Sequence, residues 1–270
     1  MKNDSVVELH GDTPALRLIA LLEVIAQRDQ LFSLQALVDE TGMPKPTLHR
    51  MLQQLEGAGL LQRDGDGRHY GTGVRLRRLA ENLLLHSTTH GARHALLRHL
   101  VEELGESCNL TALSGNEVVY LDRVETAAPL RFYLQAGSRV PVHCSASGKL
   151  LLSQMPTAQR QRLLAAAPLE AYTTRTLTGP EKLEREFERI ARDGYAFDNE
   201  EFLPGLLCVA VLVPVEEGRS NLCIAAQAPT MRMNKERALA MLPALRRAAQ
   251  ALARIEGHVV RAVRAGRKRA

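Results

Sequence analysis

The stretch TGMPKPTLHRMLQQLEGAGLL, residues 41–61, decides the fold of the first third of this 270-residue chain. Leu48, Met51, Leu52 and Leu55 fall at i, i+3, i+4 and i+7, the spacing that lines up apolar side chains on one face of a helix from about Pro44 to Ala58. Lys45, Thr47, His49, Arg50, Gln53 and Gln54 are left outward or at its margin, with no acid before Glu56. Thr41-Gly42 is a helix stop, because glycine takes the left-handed conformation at a helix end, and Met43-Pro44 makes a tight turn into the next helix.

Upstream of this stretch, Thr13-Pro14 is a start signal for a helix over 14–28 that carries Leu18, Ile19, Leu22, Ile25 and Ala26 on one face. Ser33 caps a short helix with Leu34, Leu37 and Val38 inward. Downstream, residues 60–63 and 68–71 read as two short strands around the turn Asp64-Gly65-Asp66-Gly67. Helix, helix, turn, helix, hairpin is the order of a winged helix-turn-helix. The second helix of such a pair enters the DNA major groove by its N-terminal residues. Lys45, Thr47, His49 and Arg50 occupy that end here, and Arg63 and Arg68 sit on the hairpin.

Residues 75–87, RLRRLAENLLLHS, read as a leucine-rich connecting helix that breaks at His-Ser-Thr-Thr-His-Gly. Beyond it the pattern is mixed. Helices are expected near 91–104, 147–154, 157–166, 180–193 and 235–257, and strands near 108–114, 117–124, 130–134, 208–214 and 221–227. That order suits an α+β domain with helices packed on an antiparallel sheet. His86, His90 and His94 would align on one unbroken helix as metal ligands, but Gly91 and the Ser-Thr-Thr run argue for a solvated joint, and no metal is expected.

The net charge is +5, but its placement matters more than its size. Residues 1–75 hold 8 Lys/Arg against 10 Asp/Glu and residues 76–231 hold 16 against 18, whereas residues 232–270 hold 11 against 2. The excess therefore lies in a C-terminal segment whose end, Arg261, Arg264, Arg267, Lys268 and Arg269, reads as a solvated tail, so bulk charge says nothing about nucleic acid. No run of eighteen apolar residues occurs and the opening MKNDSVVELHGDTP lacks an apolar signal core, so a cytoplasmic protein with no membrane contact is expected. The four cysteines, Cys108, Cys144, Cys208 and Cys223, have no Cys-x-x-Cys or zinc spacing and read as reduced thiols. His143-Cys144-Ser145 lacks a third partner for nucleophilic catalysis, G-x-S-x-G is absent, and Gly148-Lys149 lacks the upstream glycine of a phosphate loop.

Four blocks in order carry a resemblance: residues 41–61, GNEVVYLDRVET at 115–126, LRFYLQAGSRVPVHCSASGKLLLS at 130–153, and GYAFDNEEFLPGLLCVAVLVP at 194–214. Together they resemble the IclR family of bacterial transcriptional regulators. The resemblance implies a winged helix-turn-helix over 1–73, a linker helix over 74–88, a GAF-like effector-binding domain over 89–258 and a basic tail over 259–270. It implies operator DNA and a small effector as partners, assembly as a homodimer or dimer of dimers, and no cofactor. Its effector pocket maps onto the backbone of Ala146 and Ser147, onto Asp198 and Cys208, and onto Leu206 and Phe132 as apolar wall. Family members that hold small oxo-acids carry hydroxyl residues where this chain has Ala225 and Gln227. The alanine makes room, which favours an organic acid with a larger, even aromatic, body.

The reading is a regulator of a catabolic operon that responds to such an acid. An enzyme with an N-terminal assembly domain is the alternative, against which the lack of a complete catalytic motif counts. A constitutive DNA-binding protein with a dimerising second domain is the third.

Overall fold

Thr13 and Pro14 start the first helix as their order implies: Thr13 Oγ1 accepts the Leu16 N–H at 3.3 Å, and α1 runs Pro14–Ala26. In this computed structural model residues 13–26, 28, 30–85, 90–166, 168–216 and 218–267 are described, and the chain divides into two units between Leu83 and Leu84. α1 buries Leu21, Val24 and Ile25. Its buried face is thus rotated from the expected one, and Ile19 stands 53% exposed.

Ser33 caps α2 (Leu34–Thr41) by accepting the Ala36 N–H at 3.2 Å, and Gly42 closes it at φ 65°, its N–H bonded to the Val38 carbonyl. The helix of the deciding stretch, α3 (Lys45–Gly57), starts one residue later than read, with Pro44 in extended backbone as its cap. Leu48, Leu52 and Leu55 meet Leu21, Ile25 and Leu37 in one core, joined by Phe32 and Tyr70. Each fully buried leucine there contributes roughly 1.5–3 kcal/mol.

The wing is β1 (Leu61–Arg63) paired antiparallel with β2 (Tyr70–Thr72), Arg63 opposite Tyr70. A bridge from Phe32 to Tyr70, absent from the sequence reading, ties the wing to the segment before α2. The wing passes directly into α4 (Val74–Leu85) through Gly73. A Cβ at Gly73 would lie 2.3 Å from the Gly59 carbonyl oxygen, so only glycine lets the chain turn there.

In the second unit, α5 (His90–Leu104) precedes β3 (Ser107–Ser114), β4 (Glu117–Val124) and β5 (Arg139–Pro141). Then follow α6 (Ala146–Ser153), α7 (Thr157–Ala165), α8 (Pro180–Asp193), β6 (Ala196–Asn199), β7 (Leu206–Leu212), β8 (Leu222–Pro229), α9 (Lys235–Ala240) and α10 (Leu242–Arg267). The sheet order is β5-β4-β3-β8-β7-β6, all antiparallel. Alternation along each strand gives two apolar faces. Cys108, Leu110, Val209 and Ile224 pack with Leu97 of α5 and Leu245 of α10, while Val118, Ala210 and Ala225 pack with Leu150 and Leu151 of α6, backed by Phe187 of α8.

Several expectations are corrected. Residues 130–134 form no strand but part of an irregular segment, because the neighbouring edge position on β4 is taken by β5 at 139–141. β6 was not foreseen. The single helix expected over 235–257 is two, broken at Met241 where the α9 cap forms, and α10 extends to Arg267, well into the segment read as a tail. His143-Cys144-Ser145 lies in a turn, not on a strand. Of the three histidines at 86, 90 and 94, His86 lies outside the described residues, and His94 Nδ1 is 3.1 Å from Asp122 Oδ1 of β4. Among the described residues no metal-holding group of His, Cys, Asp or Glu occurs, and no helix is long and apolar enough to cross a membrane.

Candidate DNA-binding surface and effector site

Burial of Leu48, Leu52 and Leu55 turns the opposite side of α3 outward, so Lys45, His49 and Arg50 are exposed and Thr47 is half-buried. None of the three basic side chains has a hydrogen-bond or ion-pair partner among the described residues. Helix α3 also presents its N-terminus here, with Pro44 offering no side-chain cap. Backbone N–H groups and two cations on one helix end form a surface suited to phosphate and base edges. Arg68, at the wing tip, is likewise exposed and uncommitted, its backbone N–H held by Asp66 at 2.8 Å.

Arg63 is placed differently. Its Nε donates to both Glu56 oxygens at 3.0 Å, its Nη1 donates to the Gly67 carbonyl at 3.1 Å, and its guanidinium lies 4.9 Å from the Tyr70 ring centre. The carboxylate of Glu56 raises its affinity for the proton further. Arg63 braces the wing against α3.

The expected effector residues come together on the α6 face of the sheet. Register places Asp198 opposite Cys208 and Cys208 opposite Gln227, so the three sit side by side across β6, β7 and β8, with Ala225 two residues along. Leu206 shares this face by alternation and is buried. Helix α6 lies over it, Cys223 donating its thiol to the Ser147 carbonyl at 3.8 Å. At the head of α6 Ser145 Oγ accepts the Gly148 N–H at 3.3 Å, which leaves the N–H groups of Ala146 and Ser147 without partners among the described residues. Phe132 is half-buried in the irregular segment beside β4, and its carbonyl accepts from Arg123 Nη2 at 2.7 Å.

Three further residues reach the same face and were not singled out in the sequence. Asn109 and Arg123 are register partners on β3 and β4, and Asn109 Nδ2 and the Tyr120 hydroxyl both donate to Gln227 Oε1 at 3.3 Å. Asn109 was legible from the strict alternation Ser107, Asn109, Thr111 against Cys108, Leu110, Ala112. Arg123 was not, because alternation from Val118 and Tyr120 puts Asp122 on this face. A bulge opposite Leu110 and Thr111 adds one residue to β4, sends Asp122 to the α5 face and brings Arg123 round.

Asp198 Oδ1 accepts the N–H groups of Glu201 at 2.8 Å and Phe202 at 3.2 Å, which fixes the turn after β6. Burial pushes its carboxyl up to about 7, with the Glu201 charge adding to that while the two backbone N–H groups and Lys149 pull the other way. The folded value lies above the usual 3.8, so this group's stabilising contribution is complete below that pH and is lost as pH rises through about 7. Asp198→Asn keeps the Oδ1 bonds without the charge. It should therefore be more stable than wild type at pH 8 by about 1–3 kcal/mol, with the gap closing towards pH 4, measured by urea denaturation across that range. A gap of the same size at every pH would show that Asp198 titrates as an ordinary carboxyl.

All four thiols are buried, and burial raises each above the ordinary thiol value, Cys108 to about 12, so none is poised as a nucleophile. His143 Nε2 is bonded to the Glu170 carbonyl at 2.9 Å. Two clefts open elsewhere. One of about 320 Å³ lies beside Arg175, Arg189 and Lys235, and one of about 190 Å³ lies beside His143, Leu164 and Tyr172; neither is lined by the expected effector residues.

Comparison with known proteins agrees with both units. Residues 14–65 match the IclR helix-turn-helix domain and residues 86–254 match the bacterial transcriptional regulator IclR C-terminal domain. The chain is 47% identical over 242 residues to the probable transcriptional regulator SauR of Cupriavidus necator, which covers 89% of this chain and 95% of that protein. It is 30% identical to the transcriptional repressor IclR of Escherichia coli, over 81% of each. An IclR homologue from Microbacterium hydrocarbonoxydans, solved as a complex with 4-hydroxybenzoate, shares the fold at a TM-score of 0.55 and 24% identity, covering 88% of this chain and 96% of that one. With an α3 whose basic end has no partner among the described residues, a wing beside it and a second unit matched over its sheet and helices, the chain belongs to the IclR family of bacterial transcriptional regulators and is not an enzyme.

Proposed function

We propose that this regulator binds operator DNA through Lys45, Thr47, His49 and Arg50 of α3 and Arg68 of the wing, and that a small organic acid taken up on the α6 face of the second unit changes that binding. The observation that carries the reading is the cationic end of α3, whose side chains have no partner among the described residues. Arg63 acts in support, holding the wing at its angle to α3 rather than reading bases. The acid is supported by the free N–H groups of Ala146 and Ser147 at a helix N-terminus, with Phe132, Leu206, Cys208, Ala225 and Gln227 around the ligand and Asp198 as its polar contact.

The DNA-binding unit spans 1–73 and the effector unit 89–258, joined by a linker over 74–88 to which α4 belongs. The protein acts as a homodimer or dimer of dimers on a two-fold operator of a catabolic operon in the cytoplasm. Exposed Leu79 and Leu83 on α4, and Leu16 and Ile19 on α1, supply apolar surface for such pairing. The effector can shift operator affinity only by the difference in its own affinity for the two arrangements of the dimer.

A mobility shift on the intergenic DNA upstream of the protein's own gene, with competitor DNA, tests the first half. Arg50→Ala should weaken specific binding by about 1–3 kcal/mol, the worth of one good base contact. Lys45→Ala/Arg50→Ala should leave only non-specific binding. Unchanged affinity in Arg50→Ala removes it from the reading set.

A further inference from the structure

The face that carries Asp198 and Cys208 also holds an unusual set of polar atoms, at its β4–β3–β8 end. Arg123 has a side chain only 3% exposed, and its Nε and Nη1 have no hydrogen-bond partner in the protein. Only Nη2 is committed, to the Phe132 carbonyl. The nearest carboxylate oxygen, Glu125 Oε1, is 3.7 Å from Nε, beyond hydrogen-bond length, and Glu125 itself receives Arg131 at 2.6 Å. Opposite Arg123 in register, buried Asn109 spends its Nδ2 on Gln227 and leaves Oδ1 bare; Gln227 spends Oε1 on Asn109 and Tyr120 and leaves Nε2 bare. One buried patch across three adjacent strands thus keeps unpaired guanidinium N–H groups, an amide N–H group and one carbonyl acceptor. Buried polar atoms without partners are costly, and several on one face call for a common partner.

From this set we infer that Arg123, Gln227 and Asn109 form the anchor of the effector site: the guanidinium and the Gln227 amide take a carboxylate, and Asn109 Oδ1 takes a hydroxyl beside it. The ligand class is a 2-hydroxy monocarboxylate. The donors match an oxyanion, and the single acceptor between them needs a ligand O–H within reach of the same carboxylate. The inference rests on the proposed effector reading but moves the charge contact from the α6 N-terminus to a buried cation on β4. Ala225, two residues along β8 from Gln227 on the same face, is the side chain that would meet the acid's substituent.

Two matched pairs of acids, lactate with propionate and glycolate with acetate, are titrated into full-length protein by calorimetry and thermal shift. Each hydroxy acid should bind about tenfold more tightly than its partner. Arg123→Met should weaken all four by at least about tenfold while melting no lower than wild type without ligand, since an apolar isostere removes a buried guanidinium two of whose nitrogens lack a hydrogen-bond acceptor. Asn109→Leu should bind acids but lose the preference for the hydroxyl, and it decides the matter should Arg123→Met fail to fold. Lactate and glycolate without measurable binding at roughly 10 mM, or acids bound undiminished by Arg123→Met, overturn the inference and leave the patch to water alone. A preference that survives Asn109→Leu overturns it too. The mobility shift is run alongside. Operator binding without acid binding sinks the anchor but not the regulator, and acid binding through Arg123 that leaves operator affinity unchanged supports the anchor and sinks the effector role.

Discussion

Replacing Lys149 by methionine should destabilise the effector unit by about 3–5 kcal/mol, the loss expected when one partner of a buried ion pair is removed. Lys149 is fully buried in α6, and its Nζ donates to Glu186 of α8 at 3.2 Å and, by a short bond, to Glu201 in the turn after β6. Without it, Glu201 keeps a buried carboxylate with no cation. Burial already raises Glu201 above the ordinary carboxylate range, with Lys149 acting against that rise. Glu186 is less exposed to the loss: burial pushes it up, yet the Arg189 hydrogen bonds together with Lys149 hold it below its usual value. In the variant Glu201 therefore takes up a proton at higher pH than in wild type, so the loss should be larger at pH 8 than at pH 5. Urea denaturation at both values checks the sign, and Lys149→Met/Glu201→Gln should recover part of the stability at pH 8. A loss below about 1 kcal/mol would mean that the two carboxylates find water instead.

The second large effect is expected next door. Gly148→Ala should destabilise the same unit by about 3 kcal/mol or more, because the new Cβ runs into the Val142 backbone and into the Ser145 hydroxyl that caps α6. It would lie 2.3 Å from the Val142 carbonyl oxygen and 2.5 Å from Val142 Cα, in the turn that leads into α6. Accommodating it lifts the head of α6 from that turn, which moves the Ala146 and Ser147 N–H groups and draws Lys149 from its carboxylates. Gly57→Ala is the control, since a Cβ there meets nothing within 4 Å and the helix should gain about 1 kcal/mol. Denaturation midpoints of the two variants should move in opposite directions. Midpoints moving together would show that the 141–145 turn yields.

Local signals carried much of the first unit. A Thr-Pro start, a Ser33 cap, a Gly42 stop and an i, i+3, i+4, i+7 row each act within two helical turns, and each forms the contact its chemistry implies. The pairing of Arg63 with Glu56 and Tyr70 was not legible, because it joins a strand to a helix and to its own hairpin partner. Arg63 was read as a DNA contact from its charge and its place on the hairpin, and neither of these reveals that its guanidinium is taken up by Glu56 and Gly67.

By itself, then, the sequence determined the helix-turn-helix, the mixed second unit, the four ordered blocks that place the chain in its family, and the alternation that puts Asn109, Gln227 and Cys208 on sheet faces. Only the tertiary structure decided which of Asp122 and Arg123 faces α6. One extra residue in β4 reverses the facing of Asp122 and Arg123. That residue is bulged because of how β4 registers against β3, and strand register depends on pairing across the sheet that no local pattern of side chains encodes.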